Sequence, residues 1–203
     1  MGLRERKRQH TFDAVSALAI DMFLERGFDD VSVNDIAAAA EISKPTLFRY
    51  FRSKEDLALH RIADHAGEPA RVVATRDAGL SPLDALHRHF LDGLARRDPV
   101  TGLNDDPRVL AYHDLVFSTP ALAARVEEFR VRDERSLAEA LSPEAPGALP
   151  ARLASAQILA VQRVLARANW QRLREGEPAA TLHSEAVAAA DQAFGQLRGG
   201  VGF

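Results

Sequence analysis

The chain has 203 residues, of which 46% are hydrophobic and 6% aromatic, so it is long enough to bury a core of mainly aliphatic side chains. It contains no cysteine, which excludes disulfide bonds, thiolate metal sites and thiol nucleophiles. The formal net charge of −3 at pH 7 gives no reason to expect that the chain as a whole attracts nucleic acid, so any such reason must come from local clusters of charge.

The N-terminus is basic but does not read as a signal sequence. Residues 1–10 carry four cations and one acid, and the polar Thr11 follows, where a secretory signal would continue into an apolar core. No run of about eighteen uncharged apolar residues, which a membrane-spanning helix needs, occurs anywhere in the chain. The sequence therefore predicts a cytoplasmic protein that does not enter a membrane.

The first predicted helix follows this basic segment. Apolar side chains recur at helical spacing from Phe12 to Phe23. Thr11 is of a residue type that caps helices, and Gly27 is of the type that ends them. The expected helix therefore begins after Thr11 and stops at Gly27.

Two short helices come next, separated by a turn. Ser32 caps the second helix and Ser43 caps the third, which runs over 44–51. Pro45 falls within the first turn of the third helix, where its missing N–H does no harm. Residues 43–54 hold four cations and no acid, so positive charge is concentrated here.

The rest of the chain is helical by period. Ser53 caps a fourth helix that continues through Ile62. Segments 97–106 and 142–150 are rich in Asp, Pro and Gly and are predicted loops. No alternating pattern of strand length appears, so the predicted fold class is all-α. The periodicity predicts further helices near 82–96, 107–118, 120–141, 151–175 and 181–198.

The second and third helices have the features of a helix-turn-helix. Reading DNA through the major groove requires a short helix with small and polar outer side chains, held at a fixed angle by a second helix. Alanines on the second helix permit close packing of the pair. The predicted core of the pair consists of Ile36, Ala37, Ala40, Ile42, Leu47 and Phe51.

The segment from Gly27 to Leu57 resembles the signature of the tetracycline-repressor (TetR) family. It reads G-F-x-x-V-S-V-x-x-I-A-x-x-A-x-x-S-x-x-T-L-F-x-Y-F-x-x-K-x-x-L. The resemblance implies an N-terminal DNA-binding head of three helices over residues 1–52, with the helix-turn-helix at 33–52. It also implies a C-terminal helical bundle over 53–203 that binds an effector and dimerises.

The resemblance further implies which residues contact DNA. Side chains at the start of the third helix would face base edges, namely Lys44, Pro45 and Thr46, with Asn34 of the second helix near them. Phosphates would be held by Ser32, Tyr50 and Lys54, since hydroxyls and lysines near helix N-termini suit phosphate oxygens. Arg49 suits either role, and Ser43 caps the helix that presents them. The expected partner is a double-stranded, pseudo-palindromic operator bound by a homodimer.

Two positions depart from the family pattern. Glu41 stands in the turn where the family often has glycine, so a left-handed backbone there would cost about 1 kcal/mol unless the turn is different. Phe48 stands where the family often has tyrosine. Without a hydroxyl it can pack or touch a thymine methyl, but it cannot bond a phosphate.

Aromatic and polar residues of the later helices could line an effector cavity, or belong to the ordinary core and surface. His113 and Asn169 fall within apolar helical runs, where a buried polar group needs a partner. A small molecule, a neighbouring side chain or a water would serve, and lipophilic metabolites are the effector class to examine. The candidate pocket residues are Phe90, Tyr112, His113, Phe117, Arg163, Asn169 and Trp170.

No residue pattern points to catalysis or to a metal. An enzyme would need a converging acid, base or nucleophile, and none is recognisable. The histidines show no His-x-x-x-His spacing, and those at 87 and 89 do not face one way on a helix. The sequence therefore predicts no catalytic residue, no bound metal and no cofactor.

Together these features predict a DNA-binding transcriptional regulator, a repressor that a small molecule releases from its operator. The alternative is an effector-independent DNA-binding or architectural helical protein. The fourth helix, ending at the break of residues 67–69, is expected to be the only covalent route from head to body. The predicted dimer interface consists of Leu153, Ala156, Ala160, Val164 and Ala168 on one helix and Leu182, Ala186, Ala189, Ala193 and Leu197 on the next.

Overall fold

The computed structural model describes residues 3–199, with side chains from residue 11 onward. Every regular element within residues 3–199 is a helix, which confirms the all-α fold class. None of these helices combines the length and apolar character that a membrane span requires. The helices are α1 (Leu3–Arg26), α2 (Val33–Ala39), α3 (Lys44–Tyr50), α4 (Lys54–Ala58), α5 (His60–Ala63), α6 (Glu68–Ala74), α7 (Pro82–Ala95), α8 (Pro107–Ser118), α9 (Pro120–Leu141), α10 (Ala148–Arg174) and α11 (Ala179–Gly199), with one turn of 3-10 helix at Pro99–Thr101.

The five long helices predicted after residue 80 are confirmed to within three residues at each end. Proline marks three of the starts, since α7, α8 and α9 all begin with it, and its fixed φ suits the first helical position. Helix α10 begins three residues earlier than expected, so that Pro150 lies in its first turn. The predicted loop at 142–150 is therefore shorter and ends at residue 147, whereas the predicted loop at 97–106 keeps its length and contains the 3-10 turn.

The predicted start of the first helix is wrong. Helix α1 begins at Leu3, so Thr11 lies inside it and is not its N-cap. Residues 3–10 are mostly Leu, Arg, Glu, Lys and Gln, which favour helix without contributing an apolar stripe. The predicted end is confirmed: Gly27 adopts φ +92° and its N–H donates to the Phe23 carbonyl at 2.9 Å.

The predicted fourth helix is broken in two. Helix α4 ends at Ala58, Leu59 leaves the helical conformation with ψ 10°, and α5 begins at His60. The hydroxyl of Tyr112, on α8, donates to the Ala58 carbonyl at 2.8 Å. This bond therefore falls at the last residue of α4, directly before the break. Burial raises the pKa of Tyr112, so the hydroxyl keeps its proton.

The chain divides into two compact units. The first contains residues up to 66 together with 111–129, and the second contains 67–110 and the residues from 130 onward. The chain crosses from one unit to the other three times, after residues 66, 110 and 129, so these units do not coincide with the predicted head and body. The expectation that the fourth helix is the only covalent route between head and body stays a prediction. Helices α8 and α9 each have residues in both units. The functional division at residue 52 stays a prediction.

The first unit has a core built around α1. Ser16, buried on α1, donates to the Leu57 carbonyl at 3.1 Å. Arg125 of α9 reaches Asp56 with two guanidinium nitrogens, at 3.0 and 2.8 Å. The contact between Arg125 and Asp56 joins segment 111–129 to the rest of this unit. The core includes Val15, Ala19, Phe23, Phe28, Val31, Ile36, Ala37, Leu47, Phe51, Leu57, Ala58, Leu59, Val116, Leu122 and Val126.

The second unit is centred on the packing of α7 and α10 against α11. Phe194 of α11 is fully buried, and the His87 ring of α7 stacks on it at 4.7 Å between centroids. Ser155, also buried, donates from α10 to the Glu134 carbonyl of α9 at 2.6 Å. The buried stripe of α11 faces this core and contains Ala179, Leu182, Ala186, Ala190 and Phe194.

Candidate nucleic-acid interface

The start of α2 is set by a reciprocal capping arrangement. The Asp35 N–H donates to the Ser32 hydroxyl oxygen at 3.1 Å, and the Ser32 N–H donates to the Asp35 carboxylate at 2.9 Å. The Ser32 hydroxyl also donates to this carboxylate at 2.7 Å. This hydrogen bond from the Ser32 hydroxyl lowers the pKa of Asp35. The single proton of the Ser32 hydroxyl is therefore in use, and a phosphate would have to draw it away from Asp35.

The turn between α2 and α3 adopts the left-handed backbone that glycine would favour. Glu41 has φ +54°, and the N–H of Ile42 donates to the Ala37 carbonyl at 3.0 Å. These are the features of a Schellman C-cap, with Glu41 in the position that glycine usually takes. The helix pair thus keeps this turn despite the unfavourable residue.

Replacing Glu41 by glycine should stabilise the protein. A left-handed residue with a Cβ costs roughly 1–2 kcal/mol, and the greater freedom of glycine in the unfolded chain offsets part of this. We expect Glu41→Gly to raise the free energy of unfolding by about 0.5–1 kcal/mol, as measured by urea denaturation. Glu25→Gly, at a right-handed position in the last turn of α1, should lower it; a loss of stability in both variants would contradict the strain at Glu41.

Helix α3 begins at a second capped terminus. The Ser43 hydroxyl oxygen accepts from the Thr46 N–H at 3.2 Å, and the two hydroxyls lie 2.8 Å apart. Pro45 occupies the first turn, as predicted. Leu47 and Phe51 are buried on the inner side of this segment. The predicted core of the helix pair is confirmed, with Ala40 and Ile42 only partly buried at its edge.

The outer side of α3 is polar and positively charged. Lys44, Pro45, Phe48 and Arg49 are exposed, and Thr46 and Tyr50 are half-buried. Among the residues that the structure describes, neither Lys44 nor Arg49 makes an ion pair, so both cations are available to an anionic partner. The 45% exposure of Phe48 leaves its ring accessible beside them.

Two of the side chains that are predicted to hold phosphates pack against aromatic rings. The Tyr50 ring meets Phe12 of α1 edge to face, with centroids 5.5 Å apart. The Lys54 ammonium, at the start of α4, lies 4.2 Å from the centre of the Phe28 ring. The ring attracts the ammonium at this distance and favours this position of the Lys54 side chain. The DNA-contact residues inferred from the sequence thus all lie in the first unit, Ser32, Asn34 and Ser43 being exposed with Lys44, Pro45 and Arg49.

The predicted effector residues fall into both units. In the first unit, His113 packs against the exposed Phe117 with ring centroids 4.4 Å apart, and Tyr112 bonds Ala58. In the second unit, Phe90 lies in the core and Arg163 is exposed.

Two more of them in the second unit have contacts within the chain. Asn169 donates to the Thr101 carbonyl at 2.9 Å, and the Arg174 guanidinium carbon lies 5.6 Å from the centre of the Trp170 ring. The partner that Asn169 needed is therefore a backbone carbonyl. The role of these residues in binding an effector stays a prediction.

Sequence reasoning missed one cluster of titratable side chains. Asp13, His60 and Asp64 bring their ligand atoms within 4.8 Å of one another. The spacing of His60 and Asp64, one helical turn apart, was a visible signal. Asp13 lies 47 residues away from His60 in sequence, and no periodic pattern connects the two.

Comparison with known proteins agrees with the geometry of α2 and α3. The family model for bacterial regulatory proteins of the tetR family matches residues 16–61. The HTH-type transcriptional regulator TcmR of Streptomyces glaucescens is 34% identical over 174 residues, which cover 83% of this chain and 76% of TcmR. The HTH-type transcriptional repressor LfrR of Mycolicibacterium smegmatis is 28% identical over 122 residues, 56% of this chain and 61% of LfrR.

Solved structures show the same fold. The crystal structure of NalD, the secondary repressor of the MexAB-OprM multidrug efflux pump in Pseudomonas aeruginosa, superposes with a TM-score of 0.60. The match covers 92% of this chain and 96% of NalD at 17% sequence identity. At this identity the likeness speaks for the arrangement of helices alone.

Proposed function

Since the chain belongs to the tetR family of bacterial transcriptional regulators, we propose that it is a repressor released from its operator by a small molecule. Regulators of this family bind operator DNA as homodimers. The operator of this chain is a pseudo-palindrome whose half-sites mirror the twofold axis of the dimer. Repression follows from occlusion of a promoter, in the cytoplasm where the DNA lies.

The observation that carries this proposal is the outer side of α3. It presents Lys44, Pro45 and Arg49 to solvent, next to the Thr46 hydroxyl. Lysine and arginine donate to guanine in the major groove, and threonine bonds base edges or packs on the thymine methyl. Lys44, Pro45 and Thr46 therefore read bases in our proposal, with Asn34 beside them. Tyr50, Lys54 and Ser32 hold phosphates and position the head.

The experiment that tests this function is selection of DNA from a random duplex pool by the full chain. We expect enrichment of one sequence with two half-sites whose centres lie one helical turn apart, or a multiple of it. Thr46→Ala should change the bases selected within each half-site. A pool that remains unenriched after repeated rounds would contradict sequence-specific binding.

We propose that the dimer forms through α10. Leu149, Leu153 and Val164 are 64%, 53% and 65% exposed, and they lie on one side of this helix with Ala160 between them. An exposed apolar stripe of this length marks an interface. On α11 the predicted stripe is partly wrong, because Leu182 and Ala186 are buried in the core of the second unit. Ala189 remains exposed there.

Charges placed in this stripe should produce monomers. A buried unpaired carboxylate at a dimer interface is strongly unfavourable, so Leu153→Glu with Val164→Glu should shift the sedimentation coefficient to that of a single chain. Val100→Glu serves as the control. Val100 is a comparably exposed apolar residue, at 51%. Its neighbour Thr101 is bonded to Asn169, which lies on the side of α10 opposite to the stripe. An unchanged dimer in the double variant would refute this interface.

The effector acts, in our proposal, on the helices that both units share. Helices α8 and α9 each run from one unit into the other, and their residues in the first unit hold α4 through Tyr112 and Arg125. Two recognition helices must enter major grooves about 34–36 Å apart, so a shift of a few ångströms in the heads would prevent simultaneous binding. A change in the second unit can reach the head along these helices.

Reciprocal coupling tests the switch. A thermal-shift screen with lipophilic metabolites and acyl thioesters would identify a ligand, because binding to the native state raises the melting temperature. A coupling of roughly 1–3 kcal/mol changes operator affinity by about 5–150-fold, and operator DNA must weaken ligand binding by the same factor. Calorimetry with and without saturating operator measures that factor. Equal ligand affinities with and without operator would refute the proposed coupling, whereas the proposal of DNA binding would still stand.

A further inference from the structure

Three titratable side chains of the first unit converge, and none of them belongs to α2 or α3. Asp13 lies on α1, His60 is the first residue of α5, and Asp64 directly follows that helix. The Nε2 atom of His60 lies 3.0 Å from an Asp13 carboxylate oxygen and 3.8 Å from one of Asp64. The cluster therefore brings one imidazole nitrogen and two carboxylates together from two helices.

The imidazole of this cluster is held in place by its surroundings. His60 is only 8% exposed. Its ring packs against Phe12 with centroids 4.8 Å apart and against Phe51 at 5.9 Å. These aromatic contacts fix the ring so that its Nε2 edge faces the two carboxylates. A ligand ordered in advance loses little further freedom when it binds a metal.

The two carboxylates are open to solvent. The Asp13 and Asp64 side chains are 55% and 56% exposed. The three cluster residues, together with Ser16 and Arg61, line a depression of about 270 Å³. An ion and its water ligands can therefore reach Nε2 and the carboxylate oxygens directly.

We propose that Asp13, His60 and Asp64 form a binding site for a divalent transition metal ion, with Zn²⁺ the best match. Mg²⁺ and Ca²⁺ prefer oxygen ligands alone, whereas an imidazole nitrogen with carboxylates suits Zn²⁺, Co²⁺ or Ni²⁺. Tetrahedral bonds of about 2.0–2.1 Å place ligand atoms roughly 3.3 Å apart. The separations of His60 Nε2 from the two carboxylates, 3.0 and 3.8 Å, bracket that value, and all three ligand atoms lie within 4.8 Å of one another. A small adjustment of the exposed carboxylates would complete the site, with water in the fourth position.

The metal would take the place of the hydrogen that joins His60 Nε2 to Asp13, because a metal-bound imidazole nitrogen carries no proton. His60 bonds Asp13, but the 3.8 Å separation from Asp64 is too long for a hydrogen bond. A dication at this point neutralises both carboxylates and ties α1 to α5. Arg61 opposes it by placing a positive charge at the same depression. Because Arg61 is exposed, solvent screens that repulsion, so Arg61 weakens the binding of the ion but does not prevent it.

Titration of the full chain with ZnCl₂ by calorimetry, and with CoCl₂ by visible absorption, tests the site. We expect one ion per chain. Because Asp13 and Asp64 are exposed, Asp13→Asn and Asp64→Asn should fold normally and lower the affinity for Zn²⁺ by at least about 30-fold. Arg61→Gln should raise the affinity by about threefold, since it removes the repelling charge.

The matched control is Asp29→Asn, which removes an exposed carboxylate elsewhere in the first unit and should leave the affinity unchanged. His60→Gln adds a check on the nitrogen ligand, with helical content measured by circular dichroism. No Zn²⁺ binding below about 1 mM, where the gain on binding is only about 4 kcal/mol, would overturn the proposal. Binding that Asp13→Asn and Asp64→Asn leave unaltered would overturn it equally, because the ion would then lie elsewhere on the chain.

Discussion

Gly102→Ala is expected to lower the free energy of unfolding by about 3 kcal/mol or more. Gly102 follows the 3-10 turn with φ +71°, and a Cβ built there would lie 1.9 Å from the Ala166 carbonyl oxygen and 2.7 Å from its carbon. These atoms belong to the backbone of α10, so no side-chain rotation relieves the clash. The turn would have to move away, which would also disturb the bond from Asn169 to the Thr101 carbonyl.

The variant Gly79→Ala distinguishes the cost of the steric clash at Gly102 from the cost of a left-handed backbone. Gly79 has φ +86° but no heavy atom within 4 Å of an added Cβ, so the variant should lose only about 1 kcal/mol for its left-handed conformation. Urea denaturation followed by circular dichroism measures both variants. Equal losses of unfolding free energy in the two variants would show that the close approach of Gly102 to α10 does not add to the cost of the substitution.

The triple variant Lys44→Ala, Tyr50→Ala, Lys54→Ala should lower operator affinity by at least about 1,000-fold. Each half-site loses a base-reading lysine, whose contact is worth about 1–3 kcal/mol, and a phosphate-holding lysine that releases a counterion. The substitution Tyr50→Ala removes a further contact in each head. Fluorescence anisotropy with the selected operator, at several salt concentrations, should show both the weaker binding and a shallower dependence on salt.

A control protein distinguishes loss of contacts from loss of charge. Arg88→Ala with Arg96→Ala removes two exposed cations from the second unit and should bind the operator as the unmodified chain does. Because Tyr50 packs on Phe12 and Lys54 on Phe28, the triple variant must also be shown to remain folded by its thermal transition. If the folded triple variant bound the operator with unreduced affinity, the assignment of α3 to the DNA interface would be wrong.

Local patterns in the sequence determined most of the helix boundaries. Ser32, Ser43 and Ser53 each accept a hydrogen bond from a backbone N–H three residues later, so their effect depends on neighbours in the chain alone. The core of the helix pair was predictable for the same reason, since helical periodicity assigns Ile36 and Leu47 to an inner face. Thr11 misled because an apolar stripe begins there while the helix itself continues backward through polar residues.

Only the tertiary structure decided how distant segments meet. The Ala58 carbonyl, next to the break at Leu59, accepts from a hydroxyl 54 residues away in sequence, and Asp56 is held by an arginine 69 residues away. The same contacts assign parts of α8 and α9 to the first unit and bring Asp13 to His60. Caps and periodicity act between residues up to four positions apart, so they leave a trace in the sequence. A contact between helices depends on where the whole chain carries each one, and a single sequence holds no periodic record of that.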